Sequence, residues 1–287
     1  MPKKKAVRYP VDVIQAMSLG TGESPLDPDD PAYDWRILAE GDSWFTIGAI
    51  PSSNLLYELR LKKRTVILNL GYPGDTIANI AQLSANTEFT RRLVHPNWAS
   101  DWDALLMSGG GNDLIDQAPD IIRATPLGSG KKPADHIDAD RLEVFQAVVQ
   151  EGFRAIVALR DSAASPNQGK PLIVHTYDYP TPRPSPATFI ITPITKPWMH
   201  PIFERYQISK SMRIKVSDLL LDALADALLA LEYELPDFHV VDTRDTLERA
   251  DIAAKGNSGD WRNEIHPNGG GYRKIADKLA AKLHKVL

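Results

Sequence analysis

The chain has 287 residues, 43% hydrophobic and 24% charged, with a formal net charge of -4 and no cysteine. That length and balance allow one large α/β unit with an ordinary core. The acidic excess speaks against a nucleic-acid surface, and the missing thiols exclude disulfides, thiolate metal ligands and cysteine nucleophiles.

In chain order, residues 1–33 are rich in Pro, Gly and Asp ("LGTGESPLDPDDPAYD") and read as an N-terminal extension. Residues 34–287 read as a single catalytic domain. "WRILAE" is a first strand, followed by a helical pattern through "SSNLLYELRLKK". "TVILNL" is a second strand, and "DTIANIAQLSANTEFTRRLV" a helix. "DALLMSG", "PLIVHTY" and "FHVVDT" complete a set of five strands. Between them, Leu142, Phe145, Val149, Ile156 and Leu159 fall on one helical face. Asp140 and Glu143 resemble a capping box at its start. A second long helix, from Ile208 to Leu231, is apolar over so wide an arc that it implies deep burial or a subunit contact, so a homo-oligomer is open. A final helix starts near Gly270. Strands alternating with helices predict a parallel sheet covered on both faces, with ligands beyond the carboxyl ends of the strands.

No run approaches the ~20 apolar residues of a membrane span. "MPKKKAVRYPVDVIQ" starts charged but has no apolar core of the kind a secretory leader needs. A cytoplasmic setting is the default expectation, with leaderless export left open.

Four strand ends or late loops carry polar, glycine-rich chemistry: Gly41-Asp42-Ser43, Gly71 to Thr76, Ser108 to Asp113, and "DWRNEIHPNGGGY" around His266. A serine hydroxyl is a weak nucleophile until a base takes its proton. His266 alone among the histidines has a context for that role, and the other six show no paired metal-ligand spacing. A tetrahedral intermediate needs donors aimed at its oxyanion. The backbone N–H groups of Ser43 and Gly74 and the side-chain amide of Asn112 are the candidates. Asp42 reads as a brace for the turn, and Asp113 as a cap or brace for its loop.

With those residues in view, the sequence resembles the SGNH hydrolases, the GDSL-like esterases and lipases. Their four blocks match Ser43 in "GDSW", Gly74 in "GYPGDT", Asn112 in "GGGNDL" and His266 in "EIHPN". The resemblance runs from about residue 35 to the C-terminus. It implies a flavodoxin-like three-layer α/β/α fold with a five-stranded parallel sheet of order 2-1-3-4-5. It also implies ester hydrolysis through an acyl-enzyme, with no metal and no cofactor. One position departs from it: the family's aspartate three residues before the histidine is Asn263 here. The third member is therefore open among Asn263, a backbone carbonyl, Asp260 and Glu264, with Asn263 or a carbonyl ranked first and Asp260 next.

On the substrate side, "DYPTPRPSPATFIITPITKPWMHPIFE" follows the fourth strand and is far longer than the usual ~2–6-residue βα loop. With Phe189 and Trp198 it is a candidate lid or wall. Trp44 and Tyr72 are candidates for the substrate pocket. Asp178 and Asp242 lie at strand ends, where each is as readily a turn residue as a contact for a polar substrate. The expected partner is a small-molecule or glycan ester. The rival readings are a carbohydrate or peptidoglycan O-deacetylase, a non-catalytic binding module on the same scaffold, and, more weakly, a nucleotide-binding doubly wound domain.

Overall fold

Six apolar runs pair in parallel: β1 (Asp12–Gln15), β2 (Trp35–Gly41), β3 (Thr65–Asn69), β4 (Ala104–Ser108), β5 (Leu172–His175) and β6 (Phe238–Val241). They are seen in a computed structural model that describes residues 7–18, 26–46, 53–82, 84, 86–125, 132–187 and 196–287. The spatial order is β1-β3-β2-β4-β5-β6. Every residue of β3, β4 and β5 is buried, because helices cover both faces. This is why these strands read as unbroken apolar runs rather than alternating ones.

One helical layer contains α3 (Ile77–Ile80), α4 (Thr87–Val94), α5 (Gly111–Ile121), α6 (Ala139–Arg160) and α8 (Lys210–Glu234), with α6 packed against the other four. The other contains α1 (Ser43–Thr46), α2 (Leu55–Glu58) and α9 (Gly269–Val286), with α9 against α2 and β6. The short α7 (His200–Arg205) precedes α8. Among the described residues no helix is long and apolar enough to cross a membrane.

The expected order of the five sequence-derived strands holds, but the sheet has six. The added strand is β1, which pairs with β3 from Asp12↔Val66 to Gln15↔Asn69. Its four residues lie in a stretch that reads as an extension, and so short a run has too little periodicity to stand out. The segment from Asp75 to Val94 is two helices, not one. The first ends at Ile80 and Asn86 starts the second: its side chain accepts the Phe89 N–H at 3.2 Å, capping α4, and donates to buried Glu40 at 3.0 Å. The start of α6 is also corrected, since Asp138 rather than Asp140 caps it by accepting the Arg141 N–H at 3.1 Å.

Gly41 closes β2 where the turn leading to Ser43 crosses β4. A Cβ there would lie 2.5 Å from the Ser108 carbonyl oxygen, so only glycine lets the two backbones approach. That contact aligns the carboxyl ends of β2 and β4.

Ile14 in β1 is 1% exposed. Ile14→Ala is expected to cost ~2–4 kcal/mol in urea unfolding, as for a core aliphatic residue. A change within ~0.5 kcal/mol, typical of a surface site, would contradict β1 as an integral strand.

Candidate active site

The turn carrying Ser43, the candidate nucleophile, is held from below. Asp42 is buried, and its carboxylate accepts three bonds: the Trp44 N–H at 3.0 Å, the Ser108 hydroxyl at 2.7 Å and the Tyr177 hydroxyl at 2.6 Å. Burial raises its pKa to about 6. Ser108 spends its proton on Asp42, so it accepts from His175 Nε2 at 3.0 Å. His175 Nδ1 is then free to accept the Tyr177 N–H at 3.2 Å. One tautomer satisfies both contacts, and burial keeps that imidazole neutral by lowering its pKa to about 3. Tyr177 adopts a left-handed backbone, φ 65°, which turns its ring back under Asp42 and against Gly111.

Ser43 opens α1 and its hydroxyl lies 2.8 Å from His266 Nε2. His266 Nδ1 lies 3.1 Å from Asn263 Oδ1. The same oxygen accepts the backbone N–H groups of Ile265 at 3.0 Å and His266 at 2.8 Å. Two backbone donors fix which end of the amide faces the ring. His266 Nδ1 therefore carries the proton and donates, and Nε2 presents its lone pair to the Ser43 hydroxyl. Burial, and then the nearby Arg262 guanidinium, lower the His266 pKa to about 3.

Of the candidate oxyanion donors, Ser43 and Asn112 border one cleft, and Gly74 does not line it. The Ser43 N–H belongs to the first turn of α1, ahead of any intrahelical acceptor. Asn112 stands in the first turn of α5, and its Nδ2 donates to the Asp75 carbonyl at 2.8 Å, leaving a second N–H. That bond ties Asn112 to the loop bearing Gly74, which has φ 85° and open space where a Cβ would lie. Asp113 braces the same loop by accepting the N–H groups of Ile77 at 2.8 Å and Ala78 at 3.4 Å.

The remaining candidates separate clearly. Asp260 does not reach the histidine; its carboxylate takes the Glu248 N–H and pairs with the Lys274 ammonium. Glu264 also points away: it accepts the N–H groups of Trp198, Met199 and His200, and burial raises its pKa to about 7. Asp178 borders the cleft beside Ser43, but its carboxylate accepts four backbone N–H groups, of Tyr179, Asp245, Thr246 and Leu247. Its acceptor capacity is spent on the chain itself. Asp242 binds Arg244 and the Thr176 hydroxyl. Trp44 is buried, lines the cleft and donates from Nε1 to the Ile265 carbonyl at 3.2 Å, bracing the histidine loop. The Trp198 ring stands edge-on to His266, centroids 5.7 Å apart. Tyr72 is 70% exposed and does not line the cleft. Phe189 lies outside the described residues. Among the described residues no cluster of three or more His, Asp or Glu side chains forms a metal site.

Sequence reading missed Tyr177, Ser108 and His175 as supports of the Ser43 turn. His175 ends β5 and Tyr177 lies two residues on, in "HTYDYP", and the carboxyl end of a strand was the available signal. It also missed Arg183, fully buried, whose Nη2 donates to the Asn263 carbonyl at 2.7 Å.

No protein-family model and no curated protein matches the chain. Solved structures similar to it include a possible lipase from Chitinophaga pinensis, at 15% identity over 87% of this chain and 97% of that one, TM-score 0.49. An aryl esterase of M. smegmatis matches at 15% identity over 88% and 99%, TM-score 0.41. A mutant of an acetylxylan esterase from Geobacillus stearothermophilus matches at 14% over 86% and 93%, TM-score 0.42. At these values the functional reading rests on the geometry above.

Because Asn263 is neutral, no opposite charge favours the imidazolium. A carboxylate in its place accepts the same three N–H groups and adds that charge. Asn263→Asp is expected to raise the His266 pKa by ~1–3 units. Since a base works only when unprotonated, the acid limb of a kcat/KM profile then moves up by the same amount, from a position in the unaltered protein well below the ordinary histidine range. Coincident acid limbs for the two proteins would contradict this assignment.

Proposed function

We propose that this protein is a serine hydrolase that cleaves carboxylic esters through an acyl-enzyme on Ser43. The observation that carries the reading is the continuous bond path Ser43 Oγ–His266 Nε2 and His266 Nδ1–Asn263 Oδ1, at 2.8 and 3.1 Å, in the single tautomer that leaves Nε2 basic. The resemblance of the four blocks to SGNH hydrolases supports it. A binding module has no need of a serine hydrogen-bonded to a base whose other nitrogen is fixed by an acceptor.

In this reading Ser43 Oγ attacks the ester carbonyl carbon as His266 Nε2 takes the hydroxyl proton. The carbonyl electron pair moves onto oxygen, which the Ser43 N–H, the Gly74 N–H and the Asn112 amide stabilise. The intermediate collapses, the C–O bond to the alcohol breaks, and His266 returns its proton to the departing oxygen. Water then gives up a proton to His266 and attacks the acyl carbon, releasing the acid and restoring Ser43. Asn263 orients the imidazole throughout and supplies a dipole where related triads supply a charge.

A second, narrower reading is a carbohydrate O-deacetylase. Trp198, edge-on to His266, stands on the side from which the alcohol leaves, and an indole there offers a sugar an apolar face.

The test is labelling by an ethoxy fluorophosphonate with p-nitrophenyl acetate turnover. The probe is expected to modify Ser43 in the unaltered protein and to leave Ser43→Ala unmodified, with turnover reduced at least ~10³-fold in that variant. Unlabelled protein without turnover would refute the hydrolase reading. Asp260→Ala is expected to keep turnover within about threefold at temperatures where it is folded, because its carboxylate belongs to Lys274 and the Glu248 N–H. A loss as deep as that of Ser43→Ala would instead make Asp260 the triad acid.

A further inference from the structure

Oxyanion donors act only when they are held at the right spacing before charge develops. Ser43 and Asn112 stand on different turns, one after β2 and one after β4. The two turns are bonded at their bases, where the Asp42 N–H donates to the Ser108 carbonyl at 3.1 Å. Tyr177, which lines the cleft, touches both. Its hydroxyl donates to Asp42 Oδ2, directly before Ser43, at 2.6 Å. The same end of the ring abuts Gly111, directly before Asn112. A Cβ on Gly111 would lie 2.9 Å from the ring's Cζ and 3.3 Å from its hydroxyl oxygen.

The chain holds this ring in place against its own backbone preference. Tyr177 has φ 65°, a left-handed conformation that a bulky residue seldom adopts. Such strain persists only where the surroundings over-determine it, and it clusters at functional sites. The surroundings here are firm. The Tyr177 N–H goes to His175 Nδ1 at 3.2 Å, and the Tyr177 carbonyl accepts the Thr243 hydroxyl at 2.6 Å. The rings of Trp44 and His175 pack edge to face with it, centroids 4.9 and 4.6 Å away. A phenol is rigid, so a ring held in this way is a spacer of constant length between the two turns.

We infer that Tyr177 is a positioning residue that sets the spacing between the Ser43 N–H and the Asn112 amide, holding Asp42 through its hydroxyl and Gly111 against its ring. This rests on the hydrolase reading above and adds to it the side chain that keeps two oxyanion donors in register. Two substitutions disturb the spacer at different contacts. Tyr177→Phe keeps the ring and removes the bond to Asp42. Gly111→Ala keeps the hydroxyl and drives a methyl group into the ring; Gly111 opens α5 without a positive φ, so its backbone accepts alanine. Deleting one oxyanion donor outright lowers kcat by ~10²–10³-fold. Loosening the spacing of two should lower it by ~10–100-fold, with KM within about threefold, since the interaction lost is one made in the transition state.

The experiment measures kcat and KM for p-nitrophenyl acetate, with thermal melting and fluorophosphonate labelling of Ser43 for each protein. It uses the unaltered protein, Tyr177→Phe, Gly111→Ala, Asn112→Ala, and each of the first two variants combined with Asn112→Ala. Tyr33→Phe is the control: it deletes a similar bond, to Asp12 at 2.8 Å, at the amino end of β1. Either single variant should show the fall in kcat given above and still label at Ser43. In the Asn112→Ala background the same change should cost less than about threefold, because one of the two donors it spaces is already gone. Tyr33→Phe should shift melting alone. Equal losses in the two backgrounds, or lowered melting with kcat unchanged, overturn the positioning role and leave the hydrolase reading standing. Should one variant not fold, the other carries the same comparison. No labelling and no turnover in the unaltered protein overturns both.

Discussion

A single amide oxygen, Asn263 Oδ1, sets the chemistry of the site. It receives three N–H groups at once, two from the backbone of its own loop and one from the His266 ring. In an isolated His–Asn pair the amide is free to rotate and offer its NH2 group, which fixes the wrong tautomer and wastes the histidine as a base. Here rotation would bring donor against donor at two backbone positions. The oxygen therefore stays inward, Nδ1 keeps its proton, and Nε2 is left to Ser43. The missing negative charge is felt only when the imidazolium forms, so the position governs turnover more than architecture.

Around that point the loops are held by buried carboxylates rather than by strand pairing. Asp42 holds the turn after β2, Asp113 the start of α3, Asp178 the loop after β6 and Glu264 the approach to α7. The reason is stoichiometric. Loop N–H groups at a sheet's carboxyl edge have no ladder partners, and each must be satisfied if it is buried. A carboxylate is acceptor-only and offers about four lone-pair positions, so one side chain organises several residues. Burial raises the pKa of all four, which marks how far each carboxylate has been taken from water to do this.

The surroundings of Ser43 and His266 differ in character. The Trp198 ring stands edge-on to His266, whereas Leu221 of α8 and Met199 border the cleft beside Ser43. In the proposed reaction the two parts of an ester would meet these different surroundings, an aromatic edge and an apolar wall.

The sequence by itself determined the parallel α/β/α fold and the order of five strands, and it singled out Ser43, Asn112 and His266 as candidates. Those features are local. Apolar runs mark buried strands, and glycine-rich polar turns at their carboxyl ends mark where chemistry gathers. What it left open was decided by contacts between segments far apart in the chain. Asp12–Gln15 becomes a strand only because β3 offers an edge, and Asn86, which caps α4, is tied to Glu40 far back in the chain. Asn263 or a carbonyl ranked ahead of Asp260 as partner of the histidine, and the bonds of Asp260 to Lys274 and the Glu248 N–H separate the two. No local pattern encodes such contacts, because they follow from how separate elements pack together.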